Sequence, residues 1–324
     1  MATFDSVSPQ QTVTTNDKFI PEIWSDEIIA TYEQNLVLAD KVRKLSMKGK
    51  KGDTIHVPKP GRDDASAKVA ETAVTLIADT ATELVISIDQ HFEYSRMIED
   101  ITDVQSLPSA RRFYTEDAGY ALARNVDSAL FALGTGVGDG GPVSDAAVPA
   151  NWEHSNCLRS NGTTGYEAWA EDTTLAADVF NDALFRAALQ LLDDSDVPMS
   201  SRCLVIAPSA VNTIRGIDRY NSVDFVNNKG VANGEIGNVY GVPVYVSTNV
   251  STIETAAQNS GDTSIASRGN VLMHKDAYVL AEQVGVRSQT QYKQEHLSTL
   301  FTSDRLYGKA VYRPESAVII ATAE

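Results

Sequence analysis

The segment "GDTIHVPKPGRDDASAKVAETAVTLIADTATELVISIDQHFEYSR", residues 52 to 96, restricts the possible folds of this chain most strongly. Its two ends read as strands. Thr54 to Val57 alternates, Pro58-Lys59-Pro60-Gly61 breaks the pattern, and Leu84 to Ile88 alternates again, with Phe92 and Tyr94 following. The middle is too polar to bury a core, and a two-stranded ribbon alone is marginal in water. The ribbon therefore needs support from the rest of the chain or from a neighbouring subunit.

The second constraint is a long helix. From about Ser109 to Leu133, Phe113, Leu122, Val126, Ala129, Leu130 and Leu133 fall on one side, and Arg111, Arg112, Glu116, Arg124 and Asp127 are expected to face away. Gly134 is expected to end it, and residues 134–172 read as irregular, anchored by Trp152 and Trp169. An earlier helix is expected from Pro21, with Glu22, Asp26 and Glu27 near its positive end and Ile28, Tyr32, Leu36 and Ala39 on one face. Residues 1–19 read as a polar arm.

Further on, Thr174 reads as the N-cap of a helix with Val179, Phe180, Ala183, Leu184, Ala187 and Leu191 inward. "RCLVIAP" at 202–208 reads as a buried strand, and Ser209 as the cap of a brief helix. Strand-type segments dominate afterwards, including "GNVYGVPVYVSTNV", "GNVLMHKDAYVLA" and "AVYRPESAVIIAT". Helices and strands are grouped, so the fold class is α+β.

Catalytic signatures are missing. The histidines, His56, His91, His154, His274 and His296, include no closely spaced pair, so no local zinc-ligand motif exists. "GTGVGDGG" lacks the G-K-[ST] ending of a phosphate loop and follows a helix where a strand is required. "DDSD" (Asp193 to Asp196) lacks calcium-loop spacing, and Cys203 sits in an apolar run where a thiolate is disfavoured. Two cysteines, Cys157 and Cys203, cannot form a disulfide framework. Convergent carboxylates, and hence a soluble carboxylate-dependent enzyme, stay open as an alternative.

Charge narrows the partners. With 27 Lys plus Arg against 43 Asp plus Glu, the chain carries a net −16, opposite in sign to a protein that grips a phosphate backbone. No basic, apolar leader precedes residue 20 and no run approaches a membrane span, so a soluble chain, intracellular at synthesis, is expected.

Taken in order, "IPEIWSDEIIATYEQNLVLADKVRKL", "KGDTIHVPKPG", "DAGYALARNVDSALFALG", "GVPVYVSTNV" and "GVRSQTQYKQEHLSTLFTSDRLYGKAVYRPESAVII" resemble the major capsid protein of tailed bacteriophages, the Hong-Kong-97-type shell fold. The likeness covers most of the chain and is nearest to short-tailed marine phages and cyanophages. It implies an N-terminal arm and first helix at 1–50, an extended loop at 51–98, and a peripheral domain at 99–195. That domain would hold a spine helix at about 109–133 and a variable loop at 134–172. An axial domain would follow at 196–295, with 296–324 returning to the peripheral domain.

The resemblance implies a non-enzymatic structural protein, without cofactor or metal. It would self-assemble into hexamers and pentamers of an icosahedral head enclosing DNA without specific binding. Expected partners are other copies of itself, a portal protein, a cement or decoration protein and a separate scaffolding protein, the last because no long charged coiled-coil segment leads the chain. No membrane is involved, and the location is the virion after assembly in host cytoplasm. An encapsulin-type nanocompartment shell is the alternative within the same fold. Lys50, Lys51, Lys59 and Arg62 of the hairpin are the expected inter-subunit partners of Glu99, Asp100 and Asp103 before the spine.

Overall fold

The computed structural model describes residues 37–59, 65, 67–68, 70–71, 73–74, 82–101, 108–135, 157–161, 165–168, 177–217, 237–255 and 265–323. The chain runs through α1 (Leu38–Lys41), β1 (Arg43–Ser46), β2 (Thr54–Lys59), β3 (Thr82–Ser87), β4 (Gln90–Glu99) and α2 (Pro108–Thr135). Then come β5 (Cys157–Asn161), β6 (Gly165–Ala168), α3 (Asp182–Asp194), β7 (Arg202–Ile206) and α4 (Pro208–Arg215). Strands complete it: β8 (Asn238–Val239), β9 (Val242–Val246), β10 (Thr252–Thr255), β11 (Ile265–His274), β12 (Tyr278–Lys293), β13 (Ser298–Val311) and β14 (Ala317–Ala323). The class is α+β, as the sequence pattern predicts.

Eight strands form one mixed sheet in the order β6-β5-β14-β11-β7-β9-β8, with β10 on β11. Its side chains alternate between two cores because successive residues of a strand point to opposite faces. Cys203, Val205, Val271, Met273, Ala317 and Ile319 join a core with Val126, Leu130 and Phe131 of α2. Leu204, Ile206, Leu272, Val318 and Ile320 join another with Leu184, Ala188 and Leu192 of α3 and Ala210 and Ile214 of α4. A strand covered on both faces takes apolar residues at successive positions, which explains Cys203-Leu204-Val205-Ile206, while the buried Arg202 ahead of them pairs with Asp193 at 2.7 Å.

A second sheet, β1-β12-β13-β4, starts in the core and leaves it. Tyr278 to Ala281 of β12 are buried, whereas Val286 to Tyr292 of the same strand are exposed. Strand β1 runs parallel to only the first part of β12, from Arg43 opposite Val279 to Ser46 opposite Glu282. Beyond it Gln283 Nε2 donates to the carbonyls of Lys50 (3.2 Å) and Gly52 (2.9 Å).

The ribbon anticipated from residues 52–96 is β2 paired with β3, from Thr54 opposite Ser87 to Lys59 opposite Thr82. Its base is supported within the chain: Ile86 and Ile88 pack with Met47, Val279 and Ala281 on one face of the second sheet.

The long helix stands where the pattern places it, and at 1.5 Å per residue α2 spans roughly 42 Å. Leu122, Val126 and Leu130 are buried, and Glu116 and Arg124 are exposed. Asp127 corrects the expectation: it is fully buried, because it caps the backbone of α1. Gly134 does not end the helix but lies inside it. It is small because a Cβ there would stand 2.5 Å from Tyr278 Oη and 3.0 Å from Ile319 Cδ1.

Three further expectations change. Residues 134–172 are not irregular throughout, since β5 and β6 form a hairpin and β5 runs parallel to β14. Helix α3 begins at Asp182 with Asn181 as its cap, and the residues it buries are Leu184, Phe185, Ala187, Ala188 and Leu192. Asn181 wins the cap because its Oδ1 accepts from Leu184 N–H at 2.8 Å while its amide donates to Ser160 Oγ and the Gly165 carbonyl. Phe180 is buried ahead of the helix and Val179 is exposed. Helix α4 is entered through Ala207 with Pro208 at its first turn, not capped by Ser209. The helix anticipated from Pro21, apart from Ala39 in α1, the cap Thr174, and both Trp152 and Trp169 lie outside the described residues.

"GNVYGVPVYVSTNV" is a tight hairpin, with Tyr240 and Gly241 both at positive φ (50° and 81°) between β8 and β9. Tyr240 tolerates this because its hydroxyl donates to Asp182 at 2.7 Å and its ring stacks on Phe185 at 6.0 Å. The segment is scaffold for the eight-stranded sheet.

Candidate assembly surfaces

Beyond the core, β12, β13 and β4 continue as a three-stranded sheet. Register shifts between Glu282 and Arg287 mark where β12 leaves the packed region. One face turns to α2: Tyr94 Oη donates to Asp117 at 2.8 Å, and the Arg96 guanidinium lies over the rings of Tyr114 (4.7 Å) and Tyr94 (5.5 Å). Nearer the core Tyr307 Oη donates to Asn125 of the same helix at 2.7 Å.

The opposite face has no such cover among the described residues. Met97 stands opposite Leu300 and Ser95 opposite Thr302, and Met97 is 51% exposed. Across this face Arg287 holds Asp304 through two hydrogen bonds, Nε at 2.7 Å and Nη2 at 2.8 Å, and His91 Nε2 lies 3.1 Å from the same carboxyl. The Arg287 guanidinium, helped by His91, holds the Asp304 carboxyl below the usual carboxylate range, against the opposing effect of burial. These groups rivet three strands, β4, β12 and β13.

The tip joining β12 to β13, Gln294-Glu295-His296-Leu297, exposes one large apolar side chain on a conformationally costly backbone. Leu297 is 64% exposed at φ 44°, ψ 51°, a left-handed conformation that side chains other than glycine adopt reluctantly. Its carbonyl accepts from Asp100 N–H at 3.0 Å, and Tyr292 Oη donates to the Asp100 carboxylate at 2.7 Å. That carboxylate raises the pKa of the Tyr292 phenol. Ile101, beside this tip, is exposed as well.

The described charged residues singled out in the sequence fall at three separate places. Lys50 and Lys51 are exposed where the chain passes Gln283, and Lys59 is exposed at the far end of β2. Glu99 is exposed opposite Ser298, and Asp100 is half-buried under Tyr292. From Gln283 to Tyr292 is nine residues of strand, roughly 30 Å at strand rise. Lys50 and Lys51 therefore do not meet Glu99 or Asp100 within one subunit. Arg62 and Asp103 lie outside the described residues. Met97, Tyr292, Leu297 and the Arg287–Asp304–His91 group escaped sequence reasoning, because they sit in a polar run without periodicity.

Among the described residues no three His, Cys, Asp or Glu side chains cluster to hold a metal, and no helix is long and apolar enough to cross a membrane. Both thiols are free, and burial pushes them up, to about 12 at Cys157 and about 11 at Cys203, away from nucleophilic use.

A sequence model of the family described as phage capsid protein matches residues 17–324. Among solved structures, the capsid of cyanophage P-SCSP1u is similar over 100% of both chains, with 16% identity and a TM-score of 0.71. A structure of Mycobacterium phage Che8 shares 21% identity over 93% of this chain and 97% of its own, with a TM-score of 0.68. The capsid of a native GTA particle aligns over 98% and 100% of the two chains at 14% identity, with a TM-score of 0.66. Among curated proteins no sequence matches. At these identities the structural likenesses establish a shared fold.

Proposed function

Because the chain belongs to the phage capsid protein family, we propose that the surfaces left bare in one copy join copies into hexamers and pentamers of an icosahedral head around double-stranded DNA. The protein is a major capsid protein that forms the phage shell; its role is structural and its place is the virion capsid. Residues 51–98 serve as an extended loop lying across a neighbour. Residues 99–195 form a peripheral domain around the spine α2, residues 196–295 an axial domain, and residues 296–324 return to the peripheral domain.

One observation carries this reading: Lys50 and Lys51 lie roughly 30 Å along the sheet from Glu99 and Asp100, too far to meet them within one copy. Lys50, Lys51, Lys59 and Arg62 of one copy then face Glu99, Asp100 and Asp103 of the next. Each exposed pair contributes only about 0–1 kcal/mol, so strength comes from repetition around the shell. The net charge of −16 keeps the inner surface from gripping phosphate, so DNA can be packed and released. A separate scaffolding protein, a portal and a cement protein complete the head, which assembles in host cytoplasm.

The test is negative-stain electron microscopy of the chain produced with its scaffolding protein. The wild type is expected to give closed shells. The triple reversal Lys50→Glu, Lys51→Glu, Lys59→Glu is expected to stop at capsomers, and Glu99→Lys added to it to restore closure in part. Normal shells from the triple variant would overturn the charge pairing.

A further inference from the structure

Gly308 lies in the middle of β13, opposite Ala281 of β12. On its other side the pairing of β13 with β4 stops at Tyr307 opposite Gln90, one residue short of it. The chain that would continue this pairing, Ser87-Ile88-Asp89, passes instead over the face of β13. It is the connector between the hairpin and the sheet. A Cβ built on Gly308 would overlap the Ser87 carbonyl oxygen and stand 3.0 Å from the Ser87 carbonyl carbon and 3.1 Å from Ile88 Cα. All three obstacles are backbone, so no side chain can turn away to make room.

The surroundings hold this crossing in place. Ile88 N–H donates to the Asp53 carbonyl at 2.7 Å and closes the base of the hairpin. Ile86 and Ile88 sink into the face formed by Val279 and Ala281, with Leu306 and Ala310 of β13 on either side of Gly308. Gly308 itself is buried and has ordinary strand pairing, so its lack of a side chain serves the crossing.

From this geometry we infer that Gly308 is a positioning residue: its bare backbone is the seat that sets the angle at which the β2–β3 hairpin leaves the subunit. A methyl group there lifts the connector. Raising one strand by about 1 Å across the ~4.8 Å spacing between strands tilts the hairpin by about 12°, and over ~20 Å of hairpin this moves its end by about 4 Å. The consequence for assembly rests on the proposed reading of the hairpin as the arm that reaches a neighbour; the seat itself does not.

The experiment measures a distance and an assembly yield separately. Spin labels at Thr82→Cys, at the far end of the hairpin, and Arg124→Cys, exposed on α2, report the hairpin angle in the full chain with Cys157 and Cys203 replaced by Ser. Leu300→Ala, further along β13 and opposite Met97, serves as a control that alters the strand without touching the seat. Gly308→Ala is expected to shift the label distance by about 3–4 Å and to lower the yield of closed shells at least tenfold, while Leu300→Ala leaves the distance at its wild-type value. An unchanged distance in folded Gly308→Ala overturns the inference. A shifted distance with normal shells upholds the seat and counts against the hairpin as the neighbour-reading arm. Should Gly308→Ala fail to fold, Ile88→Ala added to it frees the connector to rise off the new methyl group, and a wild-type distance in the folded double variant likewise overturns the inference.

Discussion

Asp127, in the middle of the spine helix α2, accepts a hydrogen bond from the backbone N–H of Ala39 at 3.0 Å, joining parts of the chain 88 residues apart. Asn249 Nδ2 donates to the same carboxylate at 3.3 Å, so one buried side chain ties the spine to α1 and to the turn after β9. Asp127→Ala leaves the Ala39 N–H without this acceptor in a dry site and is expected to cost about 1–3 kcal/mol in denaturant unfolding. Burial raises the Asp127 carboxyl above its ordinary value, against the pull of its donors. The folded state therefore holds this proton more tightly than the unfolded state does. Asp127's contribution is largest below the raised value and declines as pH rises through it. The stability gap between wild type and Asp127→Ala should accordingly widen on acidification, and a gap that narrows would contradict the assignment.

Asp304 titrates with the opposite sign. Its carboxyl is held low by Arg287, so its contribution is complete above the unfolded value of 3.8 and is lost as pH falls through the lower folded value. Asp304→Asn is expected to remove part of the acid-induced loss of stability below pH 3.8 while leaving the slope near neutrality alone. Thermal melts across the acid range read this directly.

Asn181 both caps α3 and bonds to Ser160 and Gly165 of the β5–β6 hairpin. Asn181→Ala should cost about 1–2 kcal/mol, whereas Asn181→Asp, which keeps the cap acceptor, should recover part of it. Equal losses in the two variants would assign the effect to the hairpin contacts.

Leu297 separates subunit stability from assembly. Replacing it with glycine relieves a left-handed backbone at an exposed site, so the isolated subunit should gain about 1 kcal/mol. If the tip is buried by a neighbour, shells of Leu297→Gly should nonetheless dissociate at lower denaturant than wild-type shells. A parallel rise in both quantities would show that the tip stays in solvent.

The helix α2 and the strand β7 are legible in the sequence because each is dictated by burial. Ala118, Leu122, Val126 and Leu130, four residues apart, mark the buried side of α2, and two covered faces make Cys203 to Ile206 apolar. The distal part of β12, "VRSQTQY", gives no such signal, since a strand exposed in the single copy has no face to mark with alternating apolar residues. Asp127 was misread for a related reason. An acidic residue on a helix ordinarily faces solvent, and only the tertiary arrival of α1 supplies the donors that let it be buried. The candidate surface was half legible. The cations of the hairpin stand out as charges in a turn-rich stretch, but Met97, Tyr292 and Leu297 acquire meaning only once the sheet is seen to leave the core.

Hydroxyl-radical footprinting of closed shells against dissociated subunits addresses that sheet most directly, because it reads side-chain cover residue by residue. Met97 and Tyr292, 51% and 48% exposed in one copy, should be modified readily in subunits and lose most of that modification in shells. The buried Met273 should stay unmodified in both. Equal modification of Met97 and Tyr292 in the two states would mean that no neighbour covers the distal sheet, and the proposed assembly surface would be wrong.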